Sequence, residues 1–203
     1  MHQTPDYDSK NVLQNAPEMW LSEIRYIEKT LVELAQKNKF LNILEWGSGD
    51  GTIYFSKFLK QKKMDFKWIA IEHFIPWHEK VIVMLKEYNL SNDVECFLKS
   101  PTYEPDKNIQ ETLNLDEYIN FPSTLGVKFN FILVDGRKRK ECLDKASSIL
   151  ASNGVAVLHD AEREWYHDGF KHYVDGGEFV VTNISPAARG GVQKLWAGGV
   201  SKI

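Results

Sequence analysis

The chain has 203 residues, a formal net charge of −3, 43% hydrophobic residues and 26% charged ones. That length fits one domain that buries a core without staples, and the balance is that of a soluble globular protein. A negative net charge excludes a nucleic-acid partner held by bulk electrostatics, and no apolar run reaches the length of a membrane span.

Residues 1–16 read as a polar leader without an apolar signal core, and 17–203 as a single domain. The two cysteines, Cys96 and Cys142, lack any zinc-like spacing and read as reduced thiols of a cytoplasmic protein. Over residues 17–37, Trp20, Ile24, Ile27, Leu31 and Leu34 recur at helical spacing. Leu41–Trp46 reads as a strand, residues 47–51 as a glycine turn and 52–59 as a helix. Phe66–Glu72 is a second strand, residues 77–88 a second helix with Pro76 near its first turn, and Val94–Leu98 a third strand.

Residues 100–127, with Pro101, Pro105 and Pro122, read as a long irregular insertion with room for one short helix. A buried strand follows over 129–135 and a helix over 141–150. Asn153-Gly154 then reads as a turn into a strand over 155–158. The tail holds a helix over 162–173 and two strands, Glu178–Ile184 and 193–196, joined through Pro186, Gly190 and Gly191. This alternation predicts an α/β fold: a doubly wound, mostly parallel sheet with right-handed crossovers and an antiparallel edge formed by the last strands.

The loop Glu45-Trp46-Gly47-Ser48-Gly49-Asp50-Gly51-Thr52 lies between a strand and a helix, at the mouth of the crevice of an open α/β sheet. Three alternating glycines alone are a weak signal; their placement strengthens it. A dinucleotide fingerprint needs glycine where Thr52 stands, and a phosphate-cradling loop needs a lysine that is missing. Charge points the same way. A carboxylate about 5 Å from a phosphate charge costs roughly 3 kcal/mol at an effective dielectric near 20. Glu45 and Asp50 therefore favour a ligand with an ammonium and a sulfonium, and S-adenosylmethionine is such a ligand. Glu72 ends the second strand, where a carboxylate accepts ribose hydroxyls in Rossmann-type folds; the bland alternative is a solvated strand end. His73 and Phe74 follow, and Phe74 is placed to lie against an adenine face or to join the core.

Glu45-x-Gly47-x-Gly49-x-Gly51 with Glu72 resembles the cofactor half of the class I S-adenosylmethionine-dependent methyltransferases. The resemblance implies a seven-stranded sheet with a reversed last strand. It also implies that Glu45 and the loop Gly47, Ser48, Gly49, Asp50 and Gly51 hold the methionine end, Glu72 the ribose, and Lys99 and Ser100 the adenine, with Thr52 and His73 among the cofactor-binding residues. Asp135 joins this cofactor set.

A second constellation follows the later strands. Val134-Asp135-Gly136-Arg137 and Leu158-His159-Asp160 should meet at one rim beside the cofactor. Asp-Gly is also an ordinary turn, and Asp160 an ordinary helix cap. Three mechanisms are open. His159 serves as general base; or Asp135 and Asp160 hold a divalent metal such as magnesium; or the protein only aligns acceptor and methyl group. The metal layout resembles the catechol-type O-methyltransferases, although Ala161 stands where those carry asparagine.

The pattern Val134-Asp135-Gly136-Arg137-x-Arg139-x-x-Cys142, then His159-Asp160-x-x-Arg163-x-x-Tyr166, is similar to a group of methyltransferase-like proteins and distantly to sugar O-methyltransferases. Arg137, Arg139 and Arg163 suit an acidic acceptor or form a solvated basic face. Trp165, Tyr166, Phe170, Tyr173 and Trp196 read as core, or else as the roof of an acceptor pocket. The expected function is O-methylation of a small or sugar-like acceptor. An aminopropyl transferase of the polyamine type and a non-catalytic binding module are the alternatives. The sequence leaves the oligomeric state open.

Overall fold

Six consecutive buried positions make β4 (Phe129–Val134) the middle of the sheet, since a strand covered on both faces is almost wholly apolar; its one polar residue, Asn130, accepts from the Asn42 N–H at 2.9 Å. The computed structural model describes residues 16–101, 114–184 and 191–201. Ahead of β4 come α1 (Leu21–Lys37), β1 (Leu41–Trp46), α2 (Asp50–Gln61), β2 (Phe66–Glu72), α3 (Ile75–Glu87), β3 (Val94–Leu98) and α4 (Asp116–Asn120). After it come α5 (Arg139–Ile149), β5 (Leu150–Leu158), β6 (Glu178–Ile184) and β7 (Val192–Gly198).

The strands form one seven-stranded sheet in the order β3-β2-β1-β4-β5-β7-β6. All pairs from β3 to β5 are parallel, and β7 runs antiparallel to both β5 and β6. The expected doubly wound sheet with a reversed last strand is the one observed. Strand order reverses between β1 and β4, which are adjacent and parallel, so the chain opens a crevice beyond their C-terminal ends.

Side chains alternate between two cores. Leu41 and Ile43 of β1, Phe131 and Leu133 of β4, and Val157 of β5 pack with the apolar stripes of α1, α2 and α3. Leu44 and Trp46, Ile132 and Val134, and Ala156 and Leu158 pack with α5 on the other face, joined by Leu115 and Tyr118 at α4. By that alternation Glu45, Asp135 and His159 stand on the α1 face of the sheet.

Three local readings change. Asn153-Gly154 is not a turn; it lies inside β5, opposite an irregularity in register between Phe129 and Phe131. A Cβ on Gly154 would come within 2.8 Å of the Phe129 carbonyl, so only glycine lets the two strands close there. Residues 162–173 form no α-helix but a 3-10 helix over Glu164–His172, which stacks Phe170 on Trp196 with ring centroids 4.5 Å apart. After Ser100 and Pro101 the insertion passes through residues 102–113, including Pro105, which lie outside the described residues, and then supplies α4 and a 3-10 turn, Phe121–Leu125. Pro186 and Gly190 also lie outside the described residues.

Trp196 and Tyr173 are buried, as the core reading of the tail aromatics expects, whereas Trp165 is exposed. Cys142 is buried, Cys96 half-buried, and both are free thiols. No helix among the described residues is long and apolar enough to cross a membrane.

Candidate functional site

β1 delivers Glu45 and the glycine loop to the crevice, and β4 delivers Asp135 beside them. A cleft of about 290 Å³ opens there, lined by residues 47–51, Glu45, Asp135, Trp77, and, from the segment before α1, Pro17 and Glu18. The glycines fit this close packing. Gly47 has φ +94°, and a Cβ on it would lie 2.7 Å from the Gly136 Cα. A Cβ on Gly49 would meet the Trp77 indole at 3.3 Å, and one on Gly51 would meet Glu45 Oε1 at 3.4 Å. Gly136 is equally constrained, because a Cβ there would fall 2.1 Å from the Tyr118 hydroxyl. Asp135-Gly136 is therefore a turn whose glycine is dictated by its neighbours.

Glu45 is buried. Its Oε2 accepts from Thr52 Oγ1 at 2.6 Å and from Trp68 Nε1 at 2.9 Å. Burial pushes its carboxyl up to about 8; Thr52 and Trp68 oppose the shift, and Asp135 and Glu72 add to it. Thr52 in turn accepts from the Gly49 N–H at 2.9 Å, which fixes the loop at the start of α2.

Glu72 lies behind the loop and does not line the cleft. Its Oε2 accepts from Ser48 N at 3.1 Å and Ser48 Oγ at 3.0 Å. Its Oε1 accepts from the N–H groups of His73 at 2.8 Å and Phe74 at 2.9 Å. Burial opposes its ionisation, yet the His73 ring and these N–H donors outweigh it and hold the carboxyl down at about 2. Trp77 closes the front: its Nε1 donates to the Ser48 carbonyl at 2.5 Å. Phe74 is exposed at the start of α3. Lys99 pairs with Glu117 at 3.1 Å and sits 4.1 Å over the Phe121 ring, while the Ser100 hydroxyl oxygen is buried without a partner among the described residues.

The second constellation does converge, but its centre is Arg139 rather than Arg137. Arg139 Nη1 donates to the His159 carbonyl at 2.6 Å and to Asp160 Oδ2 at 3.0 Å. Its Nη2 donates to the Asp135 carbonyl at 3.0 Å and lies 3.1 Å from Asp135 Oδ1, and its Nε donates to the Gly136 carbonyl at 3.0 Å. This planar fork ties the ends of β4 and β5 together. Arg137 is exposed, and no side chain among the described residues pairs with it. Arg163 pairs with Asp160 Oδ2 at 2.9 Å, and Gln193 Nε2 donates to Asp160 Oδ1 at 3.2 Å. Asp160 thus serves the rim and caps no helix with its side chain.

His159 is only 5% exposed. Its Nδ1 lies 2.8 Å from Asp135 Oδ1, and its Nε2 lies 3.2 Å from Gln193 Nε2 and 3.6 Å from Glu23 Oε2. Burial pulls its pKa down, but Asp135 and Glu23 prevail and push it up to about 10. The reverse holds for Asp135: burial works against ionisation, and His159, Arg139 and Arg163 keep its carboxyl below the usual range. With Nδ1 engaged by Asp135 and Nε2 facing Gln193 and Glu23, neither ring nitrogen of His159 is directed at the cleft, and its partners favour the charged form over the free base that proton abstraction needs.

The metal expectation fails on the donor set. Oxygens of Asp135 and Asp160 that would face a cation are occupied by the Arg139 guanidinium, which supplies the positive charge itself. Among the described residues no group of three His, Cys, Asp or Glu side chains is arranged to hold a metal ion. Glu23, Gln193, Trp77 and Glu18 were not legible as site residues; Glu23 carried a faint signal, an acid in the first turn of an otherwise apolar-striped helix.

No protein-family model matches the chain, and a search of curated proteins finds no match. Solved structures do share the fold. The O-methyltransferase TomG of Streptomyces achromogenes, determined in complex with SAM, superposes with a TM-score of 0.62 at 15% identity, over 98% of this chain and 96% of that one. Precorrin-6y C5,15-methyltransferase of Geobacter metallireducens gives 0.56 at 15% identity, covering 95% and 96%. Precorrin 8W decarboxylase of Methanobacterium thermoautotrophicum gives 0.55 at 12% identity, covering 91% and 93%. At these identities the likeness is one of architecture.

Proposed function

We propose that the chain is an S-adenosylmethionine-dependent methyltransferase acting on an oxygen of a small hydroxylated, sugar-like acceptor. The observation that carries the reading is the cleft itself: a strand–glycine loop–helix crevice lined by the carboxylates of Glu18, Asp50 and Asp135 and the buried carboxyl of Glu45, and, among the described residues, by no lysine or arginine. Such a lining suits a ligand with ammonium and sulfonium charges and repels a pyrophosphate. The methyltransferases among the structures that share its fold agree with it.

When bound, the cofactor supplies an electrophilic methyl group on its sulfonium. The roles of this chain are then to bind and to orient. Residues 47–51 and Glu45 hold the amino-acid end. Glu72 supports the loop through Ser48 and stands at the end of β2, where the ribose would lie. Asp135 faces the cationic centre. Because His159 is committed to Asp135 and Arg139 to two aspartates, catalysis rests on proximity and alignment. The arginine argument for an acidic acceptor weakens for the same reason: Arg139 and Arg163 are neutralised by Asp135 and Asp160.

Calorimetric titration with S-adenosylmethionine and S-adenosylhomocysteine tests this. The expected result is micromolar binding that is lost in Gly49→Arg, whose side chain would fill the space beside Trp77, and weakened in Glu72→Ala. No binding by the folded wild type sinks the cofactor reading. Binding without turnover on any hydroxylated acceptor favours a sensor.

A further inference from the structure

We infer that Glu23 is a positioning residue for the cleft, acting through His159 on the carboxylate of Asp135; the inference rests on the cofactor reading above. Glu23 stands in the first turn of α1 and is 0% exposed. Its Oε2 accepts the Trp20 N–H at 2.8 Å, and its Oε1 is buried with no hydrogen-bond partner among the described residues. Helix capping explains only part of this. A cap needs one acceptor oxygen, which a glutamine supplies equally well, and it needs no burial. Burying the whole carboxyl group with one oxygen unsatisfied costs desolvation that the cap does not require, so the group has a task beyond the cap.

That task lies across the sheet edge, 3.6 Å away at His159 Nε2. The ring's other nitrogen is fixed on Asp135, and Asp135 lines the cleft. The other charged groups at this junction come from different elements: Arg139 of α5, Asp160 after β5, and Arg163 beyond it, with the neutral amide of Gln193 from β7. Arg139 and Arg163 are both paired with aspartates, which leaves Glu23 as the carboxylate facing Nε2. With Nδ1 bonded to Asp135 and Nε2 flanked by Gln193 at 3.2 Å and Glu23 at 3.6 Å, the ring is restricted in its rotation, and the Asp135 carboxylate with it. Residues 17 and 18, just before α1, also line the cleft. The start of α1 therefore supplies both a wall and the lock on its floor.

The test compares Glu23→Gln with the wild type. Glutamine keeps the acceptor for the Trp20 N–H, so the variant is expected to fold with a melting temperature within a few degrees of the parent. Calorimetry should show S-adenosylmethionine binding weakened about five- to tenfold and adenosine binding unchanged within twofold, because adenosine lacks the end that Asp135 faces. His159→Gln should show the same split. The double variant Glu23→Gln/His159→Gln should lose no more than either single, since both act on Asp135 through one path. At fixed neutral pH, the ring-proton signal of His159 in histidine-labelled protein should shift in Glu23→Gln. Equal loss for both ligands, additive single effects, or an unshifted signal overturns the inference. A wild type that binds adenosine but not S-adenosylmethionine overturns the cofactor reading and this role with it, an outcome visible before any variant is made.

Discussion

His159 Nδ1 lies 2.8 Å from Asp135 Oδ1 across the C-terminal ends of two neighbouring parallel strands, β5 and β4. The bond turns what would be two independent strand ends into one buried ion pair. It also settles which way each group titrates. The folded-state pKa of His159 is raised from 6.5 to about 10. Its contribution to stability is therefore fully present below pH 6.5 and is lost as pH rises through about 10. Urea unfolding at pH 7 and at pH 10 should show that loss, and His159→Gln should flatten it. At pH 7 the same variant should cost about 3–5 kcal/mol, the penalty for leaving a buried partner uncompensated. A turnover profile with a histidine-like inflection between about pH 6 and 7.5 that vanishes in His159→Gln would restore the base role.

Arg139 makes a sharper prediction, because its partners are carbonyls and carboxylates on two strands at once. Lysine keeps the charge and loses the fork. Arg139→Lys should therefore destabilise by on the order of 3 kcal/mol in denaturant titration, while Arg137→Lys, on an exposed side chain, should stay within about 0.5 kcal/mol of wild type. Comparable losses in the two variants would mean that the fork does not hold the rim.

Metal dependence is the third. With the Arg139 guanidinium lying between Asp135 and Asp160, added magnesium has no acceptor pair to bind. Cofactor affinity and turnover should be the same in excess chelator and in excess magnesium. A chelator-sensitive activity restored by magnesium would show that Arg139 moves aside in the working enzyme.

The contrast between Arg137 and Arg139 shows what the sequence could and could not tell. The alternation of apolar runs with helical stripes carried the sheet, because a strand covered on both faces has no other way to read. The glycine loop was legible from its place between β1 and α2. Which arginine of Arg137-Lys138-Arg139-Lys140 turns inward was not legible: Lys138 takes a left-handed backbone, φ +51°, and that single residue sets the face from which α5 starts. Asn153-Gly154 was misread for a related reason. The dipeptide favours turns, but Gly154 is needed where β5 crowds two carbonyls at Phe129 and Asn130. Glu23 is distant in sequence from every motif, and only the docking of α1 beside β4 and β6 brings it to His159.

Glu45 supplies the last prediction. Its carboxyl is raised by burial from 4.5 to about 8, so near neutrality the free protein holds it mainly protonated. The unfolded chain releases that proton near pH 4.5, so this group alone makes stability fall as pH rises from 4.5 to 8. A cationic ligand in the cleft favours the ionised form and expels the proton. Binding of S-adenosylmethionine should therefore tighten with rising pH between about 6 and 7.5, by up to about tenfold per unit. Calorimetry in two buffers of different ionisation enthalpy should report release of close to one proton per ligand bound. Glu45→Gln, which keeps the acceptor for Thr52 and Trp68 but cannot ionise, should abolish both the slope and the release. An affinity that is flat over this window in the wild type, with no proton released, would mean that Glu45 does not sense the charge of the ligand, and that the carboxylates facing it are those of Asp135, Asp50 and Glu18.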